Sequence, residues 1–398
     1  MFLNKIIERN PEFIMACVDL HQQGQIPANS YVLDLDTIGA NTKAIAQEAD
    51  KYGLKVLAMS KQIGRNPEAL KTIKENGVDS CVCVDMNDAR AVNATGLQVG
   101  HLGHLVQVPK FETSAALNMA PEYWTVFNLD KARTISDNNK SNRVQNIMLR
   151  IWQDGDTFYT GHEGGFRLDE LPQAIKEINE MKGIRFAGLT TFPTQLFNHE
   201  TKQVEHTHNY YTLLTTAEKI QDMLGYKIEV NAPGTTSSIL FKEMAAEGVT
   251  QVEPGHGFTG GCPQHAYYDL KEKPAMAYVS EISHFYNNKG YCFGGGMYID
   301  PVFGDYEVNA CVGKTPEQAL NSKIKCNMPK PEAIDYYGIF DPQPEKKLVV
   351  GDTAVFGFRA QVFVTRAYVV PVEGIHTGNP KVKGVYNSEG RMVGWPEW

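Results

Sequence analysis

The sequence predicts an α/β protein, a (β/α)8 TIM barrel followed by a C-terminal all-β domain. Three observations carry that prediction. Strand-like runs alternate strictly with helical patterns from about residue 54 to residue 253. Those runs number eight, the count that closes a parallel barrel. Past about residue 270 the helical patterns stop and glycine- and proline-bounded β patterns replace them.

Taken in order, residues 1–30 read as a helical lead-in with a polar connection at Gln22 to Ser30. Tyr31 to Asp36 alternates as a strand, and Thr37 to Tyr52 reads as an amphipathic helix. Strands are then expected near 54–60, 79–84, 99–103, 124–128, 145–152, 185–191, 227–231 and 249–253. Helices are expected near 67–76, 86–95, 111–120, 129–138, 169–182, 202–224 and 235–247. An open doubly wound sheet has the same periodicity; the number eight and the placement of polar residues favour the barrel. Beyond it, Ala277–Ser283, Tyr291–Asp300, Leu348–Gly357 and Gln361–Val372 are β-rich. The expected division is a barrel over 37–269 and a β-rich domain from 1–36 plus 270–398, with Tyr31–Asp36 a candidate strand of the latter.

Composition narrows the function classes. With 42% hydrophobic and 21% charged residues the chain has the make-up of a globular protein. A net charge of −8 without a basic cluster argues against a nucleic-acid or anionic-membrane partner. Lys5, Glu8 and Arg9 break up the first residues, so no signal-peptide core is expected, and no apolar run approaches membrane-spanning length. Seven scattered cysteines, an odd number, fit reduced thiols in the cytoplasm. No zinc-like spacing stands out, and His206 and His208, two apart on an expected helix, do not share a face.

Chemistry in a barrel sits where strands end. The first strand runs through Val56-Leu57-Ala58-Met59-Ser60 into Lys61, with a glycine turn and a helix start near Pro67 behind it. A lysine leaving a buried strand into a concave site loses hydration, which favours the neutral, nucleophilic amine; a solvated loop lysine has the same local sequence. Arg150 lies inside the fifth strand, where an inward guanidinium needs an anion, a strong acceptor or a salt bridge. The seventh strand ends in Asn231-Ala232-Pro233-Gly234-Thr235-Thr236-Ser237-Ser238, suited either to an anion or to an ordinary N-cap. The eighth ends in Glu253-Pro254-Gly255-His256-Gly257, where glycines permit close approach to a phosphate and Glu253 points to the barrel mouth. Two anion loops, a lysine and a carboxylate together suit a phosphorylated aldehyde with a basic ring nitrogen, pyridoxal 5'-phosphate (PLP).

At these residues the chain resembles the fold-type III PLP enzymes, which include alanine racemase and the ornithine/diaminopimelate decarboxylases. The resemblance covers nearly the whole chain and is nearest to an alanine-racemase-like branch of the YhfX type. It implies that Lys61 is the Schiff-base lysine, that Glu253 of Glu253-Pro254-Gly255 holds the pyridine nitrogen, and that Arg150 sits near the cofactor. It also implies phosphate contacts at Gly234, Thr235, Thr236, Gly255 and His256. Two departures stand out. Gly188-Leu189-Thr190-Thr191-Phe192-Pro193-Thr194 lacks the family's ring-stacking histidine, so Phe192 is expected to pack on the cofactor and Thr194 to reach the phosphate. Phe358-Arg359-Ala360-Gln361 offers Gln361 where decarboxylases carry a phosphate-binding tyrosine, and it lacks the zinc-binding His/Cys pair of the D-threonine aldolase branch, so no metal is expected.

The activity implied is a PLP-dependent amino-acid racemase or epimerase, acting through an external aldimine and Cα deprotonation, with Lys61 serving one face. The opposite face needs a second group, in this family often from the other subunit, which implies a homodimer. Cys326 and Tyr337 are the leading candidates, with Tyr336 and Tyr298 behind them; each is equally well explained by packing. A PLP-dependent decarboxylase is the alternative, because alanine racemase carries an arginine where this chain has Glu253. A non-catalytic PLP-binding protein is the second alternative. Phe293-Gly294-Gly295-Gly296-Met297 has no following helix and reads as a turn or bulge.

Overall fold

The computed structural model describes residues 1–301, 304–330, 332–342 and 347–396. They form two compact units: Ile45–Ser60 with Gly77–Gly255, and Met1–Ala44 with Lys61–Asn76 and His256–Trp398.

The unit of residues 45–60 and 77–255 is a parallel barrel. Its ladder runs from Lys55–Val56 through Gln251–Val252, Glu229–Asn231, Ile184–Thr190, Gln145–Trp152, Tyr123–Val126, Gln98–Leu102 and Ser80–Cys83 to Ala58–Met59. The first and last segments are one strand interrupted at Leu57, so the sheet closes on itself. The fold is the parallel barrel that the alternation of strands and helices predicted. Strand positions agree with the expected ones because these runs are buried on both faces, which leaves an apolar signature without alternation.

One element differs. Instead of a helix from 202, Gln195–Phe197 and Val204–His206 form an antiparallel hairpin, and the helix begins at His208. Asn198 drives the turn by accepting from the backbone N–H of Glu200 and Thr201. His206 therefore lies on a strand, its ring stacked on Tyr210 at 3.8 Å and its Nε2 3.5 Å from Glu243. It is not on the helix expected of it.

In the other unit six antiparallel strands pair in a closed circuit. The order is Met276–Tyr286, Lys289–Phe293, Tyr337–Phe340, Lys323–Asn327, Val308–Gly313 and Thr353–Phe356, which returns to Met276–Tyr286. Ser30–Asp34 joins this sheet, antiparallel to Met276–Tyr286 and parallel to Tyr368–Glu373. It is buried along its whole length rather than half-buried, because strands flank it and helices cover it. The helices Phe2–Arg9 and Pro11–Gln22 bury Leu3, Ile6, Phe13, Ile14 and Val18 against Val32, Val279, Val355 and Val370. Residues 61–76 group with this unit rather than with the barrel. Their neighbours explain it: a Cβ on Gly64 would meet Val369 at 2.7 Å, and Arg65 lies over the Phe363 ring.

His21 ends the second helix with Nδ1 2.7 Å from Thr353 Oγ1, and burial pushes its imidazole from the ordinary 6.5 down to about 4. As the pH falls the unfolded chain takes up this proton first. Stability is therefore intact above about 6.5 and lost progressively toward about 4. Thermal unfolding across that window is expected to show the loss, and His21→Gln, which cannot titrate, to flatten it.

Candidate active site

Side chains from four barrel strands form a network around one carboxylate on a fifth. Glu253, directly after Gln251–Val252, is 4% exposed. Its Oε1 accepts from Asn231 Nδ2 at 3.0 Å and lies 2.6 Å from His101 Nδ1. Asn231 is oriented by the Thr190 hydroxyl, which donates to its Oδ1 at 2.8 Å. His101 Nε2 is 2.5 Å from Thr125 Oγ1. The second oxygen, Oε2, accepts no hydrogen bond from a described residue and is 3.7 Å from His104 Nε2. An ionised Glu253 only accepts, and towards such a carboxylate His101 presents Nδ1–H.

His101 and His104 were not singled out from the sequence. Gly100-His101-Leu102-Gly103-His104 carries the signal in its second glycine: Gly103 has φ +79°, and a Cβ there would meet the Thr125 carbonyl at 2.6 Å. That constraint turns the chain sharply after the third strand and brings both imidazoles to the same carboxylate.

Arg150 is fully buried, and among the described residues its guanidinium is met by backbone carbonyls rather than by a salt bridge. Its guanidinium donates to the carbonyls of His104 (3.1 Å), His162 (2.6 Å) and Phe192 (3.4 Å) and packs over the Phe127 ring. No carboxylate of the described residues pairs with it, and burial pushes its pKa down to about 10. Phe192 joins an aromatic cluster with His104, Tyr159 and His162, ring centroids 5.6–5.9 Å away.

The seventh-strand loop differs in detail from the expected phosphate cradle. The Thr194 hydroxyl donates to Pro233 O at 2.7 Å, and the Thr235 N–H donates to Gln195 O at 3.1 Å. Both groups brace the loop. Gly234 is required by that brace, since a Cβ would lie 2.5 Å from Gln195 Oε1. Thr236 donates to Gly234 O at 3.2 Å. Ser237, quoted in the stretch but not singled out, has a buried hydroxyl with no hydrogen-bond partner among the described residues; the same holds for Ser60 and Thr191. Gly255 is buried at the end of this unit.

The remaining candidates belong to the other unit. Lys61 opens a 3-10 turn, Lys61–Ile63, with Nζ 5.5 Å above the Phe363 ring. His256 Nε2 is 3.0 Å from Ala360 O, so its ring nitrogen is committed to the backbone. Burial, then the Arg359 charge, pushes His256 down to about 3, so it is neutral at physiological pH. Gln361 donates to Asp300 at 2.7 Å, beside the buried Arg359–Asp300 ion pair. Cys326 is 3% exposed and hydrogen-bonded with Cys292, and burial raises its thiol well above the usual range. It is a protonated packing group, not an exposed acid/base. Tyr337 is 39% exposed, its ring 5.0 Å from His284, and Tyr336 lies under Arg366. Tyr298 is half-buried, and burial raises its hydroxyl pKa.

The closed parallel barrel is that of the alanine-racemase fold: residues 33–263 match the family described as alanine racemase, N-terminal domain. Residues 277–382 match the YhfX-like C-terminal domain. The chain is 37% identical over 396 residues to the uncharacterized protein YhfX of Escherichia coli K12, covering 99% of this chain and 100% of that one. It belongs to the YhfX family of alanine-racemase-fold proteins. Among solved structures it resembles D-threonine aldolase from Filomicrobium marinum (TM-score 0.66, 14% identity, 92% of this chain and 96% of that one). It also resembles alanine racemase of Clostridium difficile 630 in complex with cycloserine (TM-score 0.63, 15% identity, 91% and 99%). Among the described residues no helix is long and apolar enough to cross a membrane.

Arg150→Leu would strip three carbonyls, one buried and two partly buried, of their donor. Hydrogen bonds to charged groups contribute about 1.5–3 kcal/mol each, so a loss of about 3 kcal/mol or more is expected in urea unfolding. Arg150→Lys, which lacks the planar fork, should recover less than half of it.

Proposed function

We propose that this chain is a PLP-dependent amino-acid racemase or epimerase. The observation that carries the cofactor half of this reading is the bare Oε2 of Glu253, a buried acceptor held open while its sister oxygen is doubly engaged. A protonated pyridine nitrogen is the complement of such an oxygen. The orphaned hydroxyls of Ser60, Thr191 and Ser237 in the same unit are further polar groups that a phosphate or phenolic oxygen would satisfy, so the residues present fit PLP. Bound PLP would supply the electron sink for charge developing at Cα.

In this reading Lys61 would hold the cofactor, as the family resemblance implies, and would move the Cα proton on one face. Glu253 would keep the ring nitrogen in its protonated form. Phe192 offers an aromatic surface in place of the missing histidine, and Arg150 fixes the carbonyls of the loops around it. For the opposite face Tyr337 is preferred over Cys326, because it is partly exposed while the thiol is buried; a homodimer would supply it from the second copy. A decarboxylase is the second reading, favoured by a carboxylate at Glu253 where alanine racemase carries an arginine.

Proton NMR in D2O against amino acids of both hands separates the two. Racemisation is expected to erase the Cα proton signal while the amino acid persists, and Lys61→Ala should abolish it. Tyr337→Phe should slow it by about 100-fold or more, the usual effect of losing a general acid or base. Appearance of the amine would establish the decarboxylase instead.

A further inference from the structure

Two imidazoles converge on Glu253, one toward each oxygen, and they are held differently. His104 Nε2 stands 3.7 Å from Oε2, beyond hydrogen-bond range. His101 is gripped at both ends: Nδ1 at 2.6 Å from Glu253 Oε1 and Nε2 at 2.5 Å from Thr125 Oγ1. With Nδ1–H donating to the carboxylate, the Thr125 O–H donates to Nε2, and that hydroxyl fixes the tautomer. The ring cannot flip without breaking both bonds. His101, Thr125 and Asn231 are all fully buried, so water cannot replace either contact.

A carboxylate rotates easily about its terminal torsion, which is broad and two-fold. Two donors on the same oxygen remove that freedom. His101 and Asn231 reach Oε1 from different strands, and Oε2 is what remains to accept anything else.

We propose that His101 is a positioning residue, pinning Oε1 of Glu253 so that Oε2 is presented as the acceptor for the protonated ring nitrogen of PLP. Thr125 and Asn231 complete the clamp, Thr125 through the imidazole and Asn231 directly. The inference rests on the PLP reading and goes beyond it by assigning what sets the ring nitrogen's protonation.

The test compares wild type, His101→Asn and His101→Leu, each loaded with PLP carrying 15N in the ring, by 15N NMR and by kinetics, with circular dichroism as the folding check. The asparagine keeps an N–H donor near the Nδ1 position, whereas the leucine fills the space without one. The expected result is a protonated ring nitrogen in wild type and His101→Asn and its loss in His101→Leu. Alongside it, kcat in His101→Leu should fall about 10–100-fold with KM little changed. An unchanged nitrogen shift in folded His101→Leu would overturn the inference, as would His101→Asn being as impaired as the leucine variant. If His101→Leu does not fold, Thr125→Val takes its place: it frees Nε2, and a nitrogen shift identical to wild type would refute the clamp. Failure of the wild type to take up PLP overturns the cofactor reading together with this one, and is distinguished by the absence of any chromophore before variants are compared.

Discussion

A carboxylate buried inside a barrel is the constraint on which the rest of this unit depends. An ionised carboxyl group away from water costs several kcal/mol unless donors surround it. Glu253 obtains them from other strands: His101 from the third, Asn231 from the seventh, with Thr125 and Thr190 orienting those two from the fourth and sixth. Polar residues at these four strand ends would be unfavourable in a purely apolar core. They are consistent with one another because each satisfies the next, and a network of this kind tolerates no missing member.

Closure of the sheet is what brings those strand ends together. The ladder begins and ends on two halves of the strand interrupted at Leu57, so every strand has two neighbours and no edge is left in the ring. The antiparallel unit solves the same problem by a different route, a circuit of six strands in which Met276–Tyr286 pairs at both ends of the order. Parallel strands need helical crossovers and antiparallel ones do not, which is why the helical rhythm of the sequence stops where the second sheet begins.

That rhythm was the legible part. The strands from 54 to 253 could be read because apolar runs buried on both faces are hard to mistake when turns and amphipathic helices separate them. Glu253 and Arg150 were legible for the opposite reason, as charges inside apolar strands. His101 was not, because a single histidine in an apolar strand looks like any core imidazole, and only the structure shows which carboxylate it meets. The hairpin at 195–206 was missed because Thr201-Lys202-Gln203-Val204-Glu205-His206 has the polarity of an exposed helix face, whereas Asn198 forces a turn. The roles of Thr194 and Thr235 depended on backbone partners that spacing cannot reveal. Cys326 was singled out with packing as an equal explanation, and the structure shows the packing: alternation along Lys323–Asn327 turns it inward.

The disposition of the two buried charges in the barrel unit separates stability from function. Arg150 and Glu253 have opposite charge and are both buried in the same unit, and pairing them would offset much of each desolvation cost. They do not pair. The guanidinium is spent on three loop carbonyls, with Nε left unbonded among the described residues, and one oxygen of the carboxylate on an imidazole and an amide, so neutral groups stand in place of each counter-charge. A chain selected for stability alone would have little reason to keep them apart. Keeping them apart leaves the negative charge of Glu253 uncompensated by any guanidinium and one of its oxygens bare. A free acceptor of that kind attracts a cationic ring nitrogen most strongly when no arginine competes for it, and the three carbonyls around Arg150 withhold the one arginine buried at these strand ends.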